Sequence, residues 1–368
     1  MKKLSILTFF KDEENYGAVL QALAMSHVLS RLGFDTEIVL FSSKRSKPSF
    51  LRIIRSVVWS VARGVLGART RRKRTFAFEK KYAKLSVEIE TVEGLHRYLK
   101  TRDICIVGSD QVWNPQLFEE GQNPFLLDGL EGVKKVSYAA SFGISELSTK
   151  QSLYYGPALS HFFSVSVRED SGAQILRKMG LNAPVVLDPT LLLRSDDWNN
   201  KESRGRLRFK GAYLLCYVMP GKSEVPTLYR VAESVARERG LQVIFLGDRE
   251  YVRFFGKKID TTAGPAEFLK YFHNAEFVVT NSFHGTCFAV NYEKEFISVL
   301  GKEREFFGQN RNSRIVSILK KLGLSHRVVY SDNKNRGEVS QINWGEVRKI
   351  LDRERKLSLE FIERNVLS

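Results

Sequence analysis

The chain has 368 residues, 43% hydrophobic and 27% charged, the proportions of an ordinary soluble globular protein long enough for two domains. Three cysteines, each in an apolar run, exclude a disulfide framework, and six histidines without HExxH or CxxC spacing predict no metal site. The net charge of +17 calls for an anionic partner, whether lipid, nucleic acid or phosphorylated substrate.

The opening stretch imitates a signal peptide, but its apolar run ends in Lys11-Asp-Glu-Glu14 with no small-residue cleavage site. It reads as a first strand, Leu4 to Phe10, of a cytoplasmic protein. A helix from Gly17 to Leu32 follows, with Val19, Leu20, Leu23, Val28 and Leu29 at helical spacing and Gly33 as its stop. Strand Thr36 to Phe41 completes a β-α-β unit. The unit lacks GxGxxG, so no dinucleotide cofactor is indicated.

Between Lys44 and Lys81 the chain carries thirteen basic residues and one acid, Glu79. Within this basic insertion (44–84), residues Phe50 to Leu66 form an amphipathic pattern. Ile53, Ile54, Val57, Val58, Val61 and Val65 share one face, Arg52, Arg55 and Arg63 lie opposite, and Trp59 sits at the border. Such a helix either lies on an anionic membrane surface or packs on its own sheet with solvated arginines. Thr70 to Tyr82 continues as a second basic helix.

Asp103 to Val107 is a buried strand. The loop Gly108 to Pro115 at its end offers Ser109, Asp110 and Gln111 as site residues, unless Asp110 only caps a backbone N–H. Lys135–Ala140 and Phe162–Val167 are further strands, and the second delivers Arg168. Its rigid fork suits a carboxylate or phosphate; an ion pair with Glu169 or another acid is the alternative. Pro184 to Leu187 is a short strand closed by Asp188-Pro-Thr190. The polar run from Leu191 to Lys210 marks a domain boundary.

A second α/β series follows: strand Ala212–Val218, helix Glu224–Arg239, strand Gln242–Leu246 and helix Ala266–Phe272. Phe277-Val-Val279 is a buried strand, Thr280 to Gly285 a turn, and Thr286 the N-cap of a helix beginning at Cys287. This puts His284 at the carboxyl edge of a sheet beside a helix N-terminus, where open α/β sheets bind ligands and helix ends favour anions. A buried core histidine is the competing reading. Strand Glu295–Leu300, a segment Gly301–Arg314 rich in Arg and Asn, helix Ile315–Leu322 and a long charged helix Trp344–Val366 complete the chain. The fold class is therefore α/β, with two Rossmann-like domains (1–195 and 205–330) facing a cleft and a C-terminal helix (341–368).

Six blocks occur in one order: Asn15-Tyr-Gly-Ala-Val-Leu-Gln21, Val107-Gly-Ser-Asp-Gln-Val-Trp-Asn-Pro115, Ser137-Tyr-Ala-Ala-Ser-Phe-Gly143, Ser166-Val-Arg-Glu169, Leu187-Asp-Pro-Thr190 and Ser282-Phe-His-Gly285. Together they resemble the polysaccharide pyruvyl transferase family. The resemblance implies a GT-B-like architecture with acceptor on the N-terminal side and donor on the C-terminal side. It also implies transfer of the enolpyruvyl group of phosphoenolpyruvate to a sugar as a cyclic ketal. Phosphoenolpyruvate is then the donor substrate, with no cofactor. The acceptor is a saccharide on a polyprenyl-diphosphate carrier, approached at an anionic membrane surface.

By resemblance, Arg168 grips phosphoenolpyruvate and His284 is the site histidine, either a phosphate ligand or a proton donor. Asp110 is the candidate base for the acceptor hydroxyl, chosen from position and chemistry. Asn15, Tyr16, Gly17, Ser109, Gln111, Asn281, Ser282, Gly285, Arg304, Asn312 and Arg314 complete the expected substrate-binding set. The family's other branches carry arginine two residues before the histidine, where this chain has Ser282. A second cationic clamp must therefore come from Arg304, Arg311 or Arg314. A nucleotide-sugar glycosyltransferase is the alternative, disfavoured because no E-x₇-E pair follows the His284 turn, although Glu293 and Glu295 do. Nucleic-acid binding has the basic run but no accompanying motif.

Overall fold

The computed structural model describes residues 2–10, 15–42, 65–202, 205–219, 224–247, 258–302, 312–333 and 340–367. Most of the expected helix Phe50–Leu66, together with Arg304 and Arg311, lies outside the described residues.

The N-terminal sheet is built from β1 (Lys3–Leu7), β2 (Asp35–Phe41), β3 (Leu85–Ile89), β4 (Ile104–Val107) and β5 (Lys134–Ser137) in the order β3-β2-β1-β4-β5, every pairing parallel. Helix α1 (Tyr16–Arg31) crosses from β1 to β2, α2 (Val65–Tyr82) leads into β3, and α3 (Val92–Leu99) leads into β4. Strand β4 reads Ile-Cys-Ile-Val without alternation because all four residues are buried, as a parallel strand covered on both faces requires.

The second sheet repeats the plan. It contains β6 (Tyr213–Tyr217), β7 (Gln242–Leu246), β8 (Lys258–Asp260), β9 (Phe277–Thr280), β10 (Glu295–Leu300) and β11 (Val328–Tyr330), ordered β11-β10-β9-β6-β7-β8 and again parallel. Renumbered from its own first strand, this is the 3-2-1-4-5-6 order of a doubly wound Rossmann sheet. The strand order reverses between β1 and β4 in one sheet and between β6 and β9 in the other. Those two reversals are where ligands bind in such folds.

Further helices are α4 (Thr149–Ser160), α5 (Asp170–Lys178), α6 (Pro189–Leu192), α7 (Ser195–Glu202), α8 (Val225–Arg239), α9 (Pro265–Asn274), α10 (Phe283–Asn291), α11 (Ser313–Lys321) and α12 (Trp344–Ile362). The polar run expected as a boundary thus contains a helix, and α7 buries Trp198. Helix α12 returns to the junction of the sheets. Its Ser358 Oγ accepts the Leu187 N–H at 3.0 Å, and Arg355 Nε donates to Leu191 O at 2.7 Å. Tyr16 Oη donates to Ala263 O at 2.8 Å, and Ser317 Oγ donates to Asp170 Oδ2 at 2.9 Å, so both bonds join the two halves.

Several expected elements differ. Phe162–Val167 and Pro184–Leu187 make only single bridges, at Ser164, Val167 and Val185. The reason lies in two serines: Ser137 Oγ donates to Ser166 O and Ser166 Oγ to Ser137 O, so side chains take part of the ladder's work. Strand β1 ends at Leu7 rather than Phe10, because Thr8 Oγ1 turns to Ser109 O at 2.7 Å and Phe9 packs on Phe125. Strands β3, β8 and β11 and helices α3 to α7 are additional to the expected elements.

Candidate functional site

The helix after β9 starts four residues earlier than Thr286 suggests. Ser282 is the N-cap of α10, its Oγ accepting the Gly285 N–H at 3.2 Å. Thr286 lies inside the helix and donates back to Ser282 O at 3.0 Å. His284 therefore sits in the first turn of α10, 5% exposed, rather than in the turn before it.

Opposite stands the carboxyl edge of the N-terminal sheet. Beyond β4, Gly108–Ser109 is a cis peptide and Asp110 adopts φ +68, a left-handed conformation in which Asp is enriched. The loop is held by Thr8, whose hydroxyl donates to Ser109 O and accepts from Gln21 Nε2 at 3.0 Å. Asp110 Oδ1 accepts the Gln111 N–H at 2.9 Å, and Gln111 Oε1 accepts from Asn114 Nδ2.

Arg168 lies between these edges, its side chain 1% exposed. Its Nη1 donates to Asp188 Oδ2 at 2.9 Å and to Ser109 Oγ at 3.3 Å, and its plane covers the Phe283 ring at 4.3 Å. Asp110 Oδ1 is 3.6 Å from Nη2 and Glu169 Oε2 is 3.9 Å from Nε, beyond good hydrogen-bond length. The Nε–Nη2 edge of Arg168 is thus buried without a hydrogen-bond partner among the described residues, and so is His284 Nε2. Native structures rarely leave such groups unmet, and a ligand is one explanation.

Asp188 organises the cluster. It accepts from Ser109 Oγ, Arg168 Nη1 and both the N–H and hydroxyl of Thr190, and lies 3.6 Å from His284 Nε2. Burial pushes its carboxyl up, but His284, Arg168 and Thr190 together hold it well below the usual carboxylate range. Glu169 goes the other way. Burial raises its carboxyl, only partly offset by Arg168, Arg314 and the bonds from Ser141 and Phe142. Arg314, on α11, thus acts electrostatically on this cluster from the second domain.

The remaining expected residues divide into neighbours and supports. Gly17 lies directly under the imidazole, and a Cβ there would collide with His284. Asn15 caps α1 through Ala18 N at 3.3 Å, and Tyr16 packs on Tyr217 and Phe268 across the domain junction. Asn281 bonds Met219 N at 2.7 Å and Met219 O at 3.0 Å, locking the ends of β6 and β9 together. A Cβ on Gly285 would meet Thr280 and Tyr217, so it serves close packing. Asn312 accepts the Gly301 N–H at 3.2 Å and fastens the end of β10. Asp188 and Glu169 were absent from the expected site. Asp188 ends an apolar run, the same signal that singled out Arg168, and Glu169 is its neighbour in sequence.

Two doubly wound parallel sheets, with a charged cluster where their carboxyl edges meet, define a GT-B-like protein. The solved structure of UDP-GlcNAc 2-epimerase from Methanocaldococcus jannaschii shares this fold, at 11% identity and TM-score 0.50 over 95% of this chain and 99% of that one. UDP-N-acetylglucosamine 2-epimerase from Rickettsia bellii is 11% identical with TM-score 0.48 over 100% and 99% of the two chains. E. coli ADP-heptose LPS heptosyltransferase II is 12% identical with TM-score 0.40 over 99% and 100%. No curated protein gives a significant match to this sequence. The sequence model of the polysaccharide pyruvyl transferase family matches residues 15–302, and the chain belongs to that family.

Proposed function

We propose that this protein transfers the enolpyruvyl group of phosphoenolpyruvate to two hydroxyls of a sugar, forming a pyruvate ketal and releasing phosphate. The observation that carries the reading is that the buried Nε–Nη2 edge of Arg168 and the nearby Nε2 of His284 make no hydrogen bond among the described residues, only longer ion-pair contacts to Asp110, Glu169 and Asp188. That edge has the spacing to take a carboxylate through two parallel hydrogen bonds. The N-terminus of α10 and the Arg314 charge then favour the phosphate end. His284 serves as phosphate ligand or as proton donor to C3, with Asp188 supplying the counter-charge when the imidazole is protonated. Asp110 faces the same space as the base for the acceptor. The sugar oxygens bond to C2 and the C2–O bond to phosphate breaks. Of the two hydroxyl protons, the balance places one on C3 and one on the departing phosphate.

The test is phosphate release from phosphoenolpyruvate that depends on a saccharide acceptor. Arg168→Lys keeps the charge but loses the fork, and donor use should weaken by roughly one to a few kcal/mol. Unchanged kinetics in phosphoenolpyruvate would remove Arg168 from the site, and release of a nucleoside diphosphate from a nucleotide sugar would replace the reading altogether.

We further propose that the acceptor rides on a polyprenyl diphosphate and that the protein meets it at the inner membrane face. No described helix is long and apolar enough to cross a membrane. Helix α2 divides its charges: Arg71 is buried, and Arg74 bonds Thr262 O at 3.0 Å across the domain junction. Arg69, Arg72, Lys73 and Lys80 lie on the exposed arc with Phe76, which is 65% exposed. Replacing those four basic residues by Gln should weaken binding to anionic vesicles by ~1 kcal/mol each, and raised salt should mimic the loss. Equal vesicle binding by both proteins at low salt would reduce α2 to a solvated face.

A further inference from the structure

A concavity lies on the N-terminal domain, apart from the Arg168 cluster. It has a volume of about 480 Å³ and is walled by Phe118, Tyr154 and Tyr155, with Glu119, Glu120 and Gln151 at its polar margin. Its wall comes from the segment that leaves β4 and from α4, the first helix after β5. Phe118 also stacks on Phe9 beyond β1, ring centroids 6.2 Å apart and 14° from parallel. All three segments leave the carboxyl edge of the same sheet, the edge that presents Ser109 and Asp110.

The polar groups show which ligand class fits. The amide of Asn123, at the cavity floor, is spent on Val112 O, Tyr155 Oη and the Phe125 N–H, which fixes the aromatic wall instead of offering a contact. Lys150 is paired with Glu120 at 2.9 Å. With Glu120 offset by Lys150, Glu119 leaves the margin net negative and unfavourable for phosphate or carboxylate. Gln151 Oε1 accepts the Ser148 N–H at 2.9 Å, so the carboxylates are the acceptors offered to hydroxyls, while aromatic faces cover C–H surfaces. Apolar faces and hydroxyl-bearing edges in one molecule are the mark of a pyranose ring.

The cavity is also within reach of the chemistry. Pro115, on its rim, is five residues from Asp110, so the chain can separate the two by no more than about 18 Å.

We propose that this cavity is a saccharide subsite that holds the acceptor glycan beyond the reacting sugar. The proposal rests on the ketal-forming reading of the Arg168 cluster, which places the reacting sugar at Asp110. Phe118 and Tyr154 then act as binding residues that select acceptors longer than one ring.

The experiment needs no knowledge of the natural acceptor. Full-length protein is titrated with cellotetraose, maltotetraose, chitotetraose and a β-1,3-linked galactotetraose at millimolar concentrations. Binding is read by saturation-transfer NMR and calorimetry, without phosphoenolpyruvate. At least one tetrasaccharide should bind, its parent monosaccharide should not, and Tyr154→Ala should weaken binding about tenfold or more, the loss of one good ring contact. Phe118→Ala should act in the same direction, and Tyr154→Phe should keep most of the affinity. Circular dichroism establishes that each variant is folded. Binding of none of the four glycans, or equal binding by folded Tyr154→Ala, overturns the subsite. Phosphoenolpyruvate affinity, measured on the same samples, depends on Arg168 and His284 and tests the donor reading separately.

Discussion

The two carboxyl edges that meet at the site are alike in topology and unlike in chemistry. The N-terminal edge is dense with charge: Arg168, Asp110, Glu169 and Asp188 are all buried within one cluster. From the other edge the second domain offers His284 and, at longer range, the Arg314 charge. Asn281, Ser282 and Asn312 there are committed to the protein's own backbone. The asymmetry teaches a division of labour. One domain holds a preorganised charged nest, and the other brings an imidazole to it on a helix whose position depends on the domain junction.

The largest effect should come from Asp188→Asn, which strips the buried Arg168 and its neighbour His284 of their shared counter-ion. Breaking a buried pair costs about 3–5 kcal/mol, so urea unfolding should show a loss of that order and phosphate release should vanish. A variant as stable and active as the parent would show that the N-terminal nest is not built on Asp188.

His284→Gln tests the other edge. It retains polarity but not proton transfer, and kcat should fall ~10²–10⁴-fold with the melting temperature nearly kept. Full activity, or an unfolded variant, would return His284 to a packing role.

Gly17→Ala sharpens the join between the edges. Its methyl group meets the imidazole, and overpacking of this kind costs about 1–3 kcal/mol. The loss should shrink in a His284→Ala background, where the ring is gone and only the Cβ contact remains, a coupling that a double-mutant cycle measures directly. Additive effects would mean that the imidazole does not rest on α1.

The smallest effect concerns Glu169, whose carboxyl burial raises. Where the folded state holds a proton that the unfolded chain has released, stability falls as pH rises. That loss runs from the ordinary carboxylate range up to the raised folded value. Glu169→Gln removes it, so the variant should gain melting temperature relative to the parent at pH 8 but not at pH 4. A pH-independent difference would remove the buried proton from this account.

Much of the scaffold is legible without coordinates. Gln242–Leu246 and Glu295–Leu300 are apolar runs bounded by turn residues, and both strands have those limits in the structure. Strand β3, Leu-Ser-Val-Glu-Ile, carries two polar residues in five and lies at the sheet's edge. Its strand character comes from pairing with β2 rather than from its own composition. The cap of α10 was misplaced because Ser282 and Thr286 are both good capping residues. Only the backbone direction after Thr280 selects between them.

The sequence by itself determined that two parallel α/β units stand in tandem, because buried strands and amphipathic helices declare their period locally. It also put His284, Arg168 and Asp110 just beyond apolar runs. Only the tertiary structure decided that these ends converge on Asp188, 79 residues beyond Ser109, that one edge of Arg168 makes no hydrogen bond among the described residues, and that Arg71 and Arg74 face the protein. Pattern reports which face of an element is buried. Which buried charges face one another depends on sheet order and domain packing, and these bring together residues that no local spacing relates.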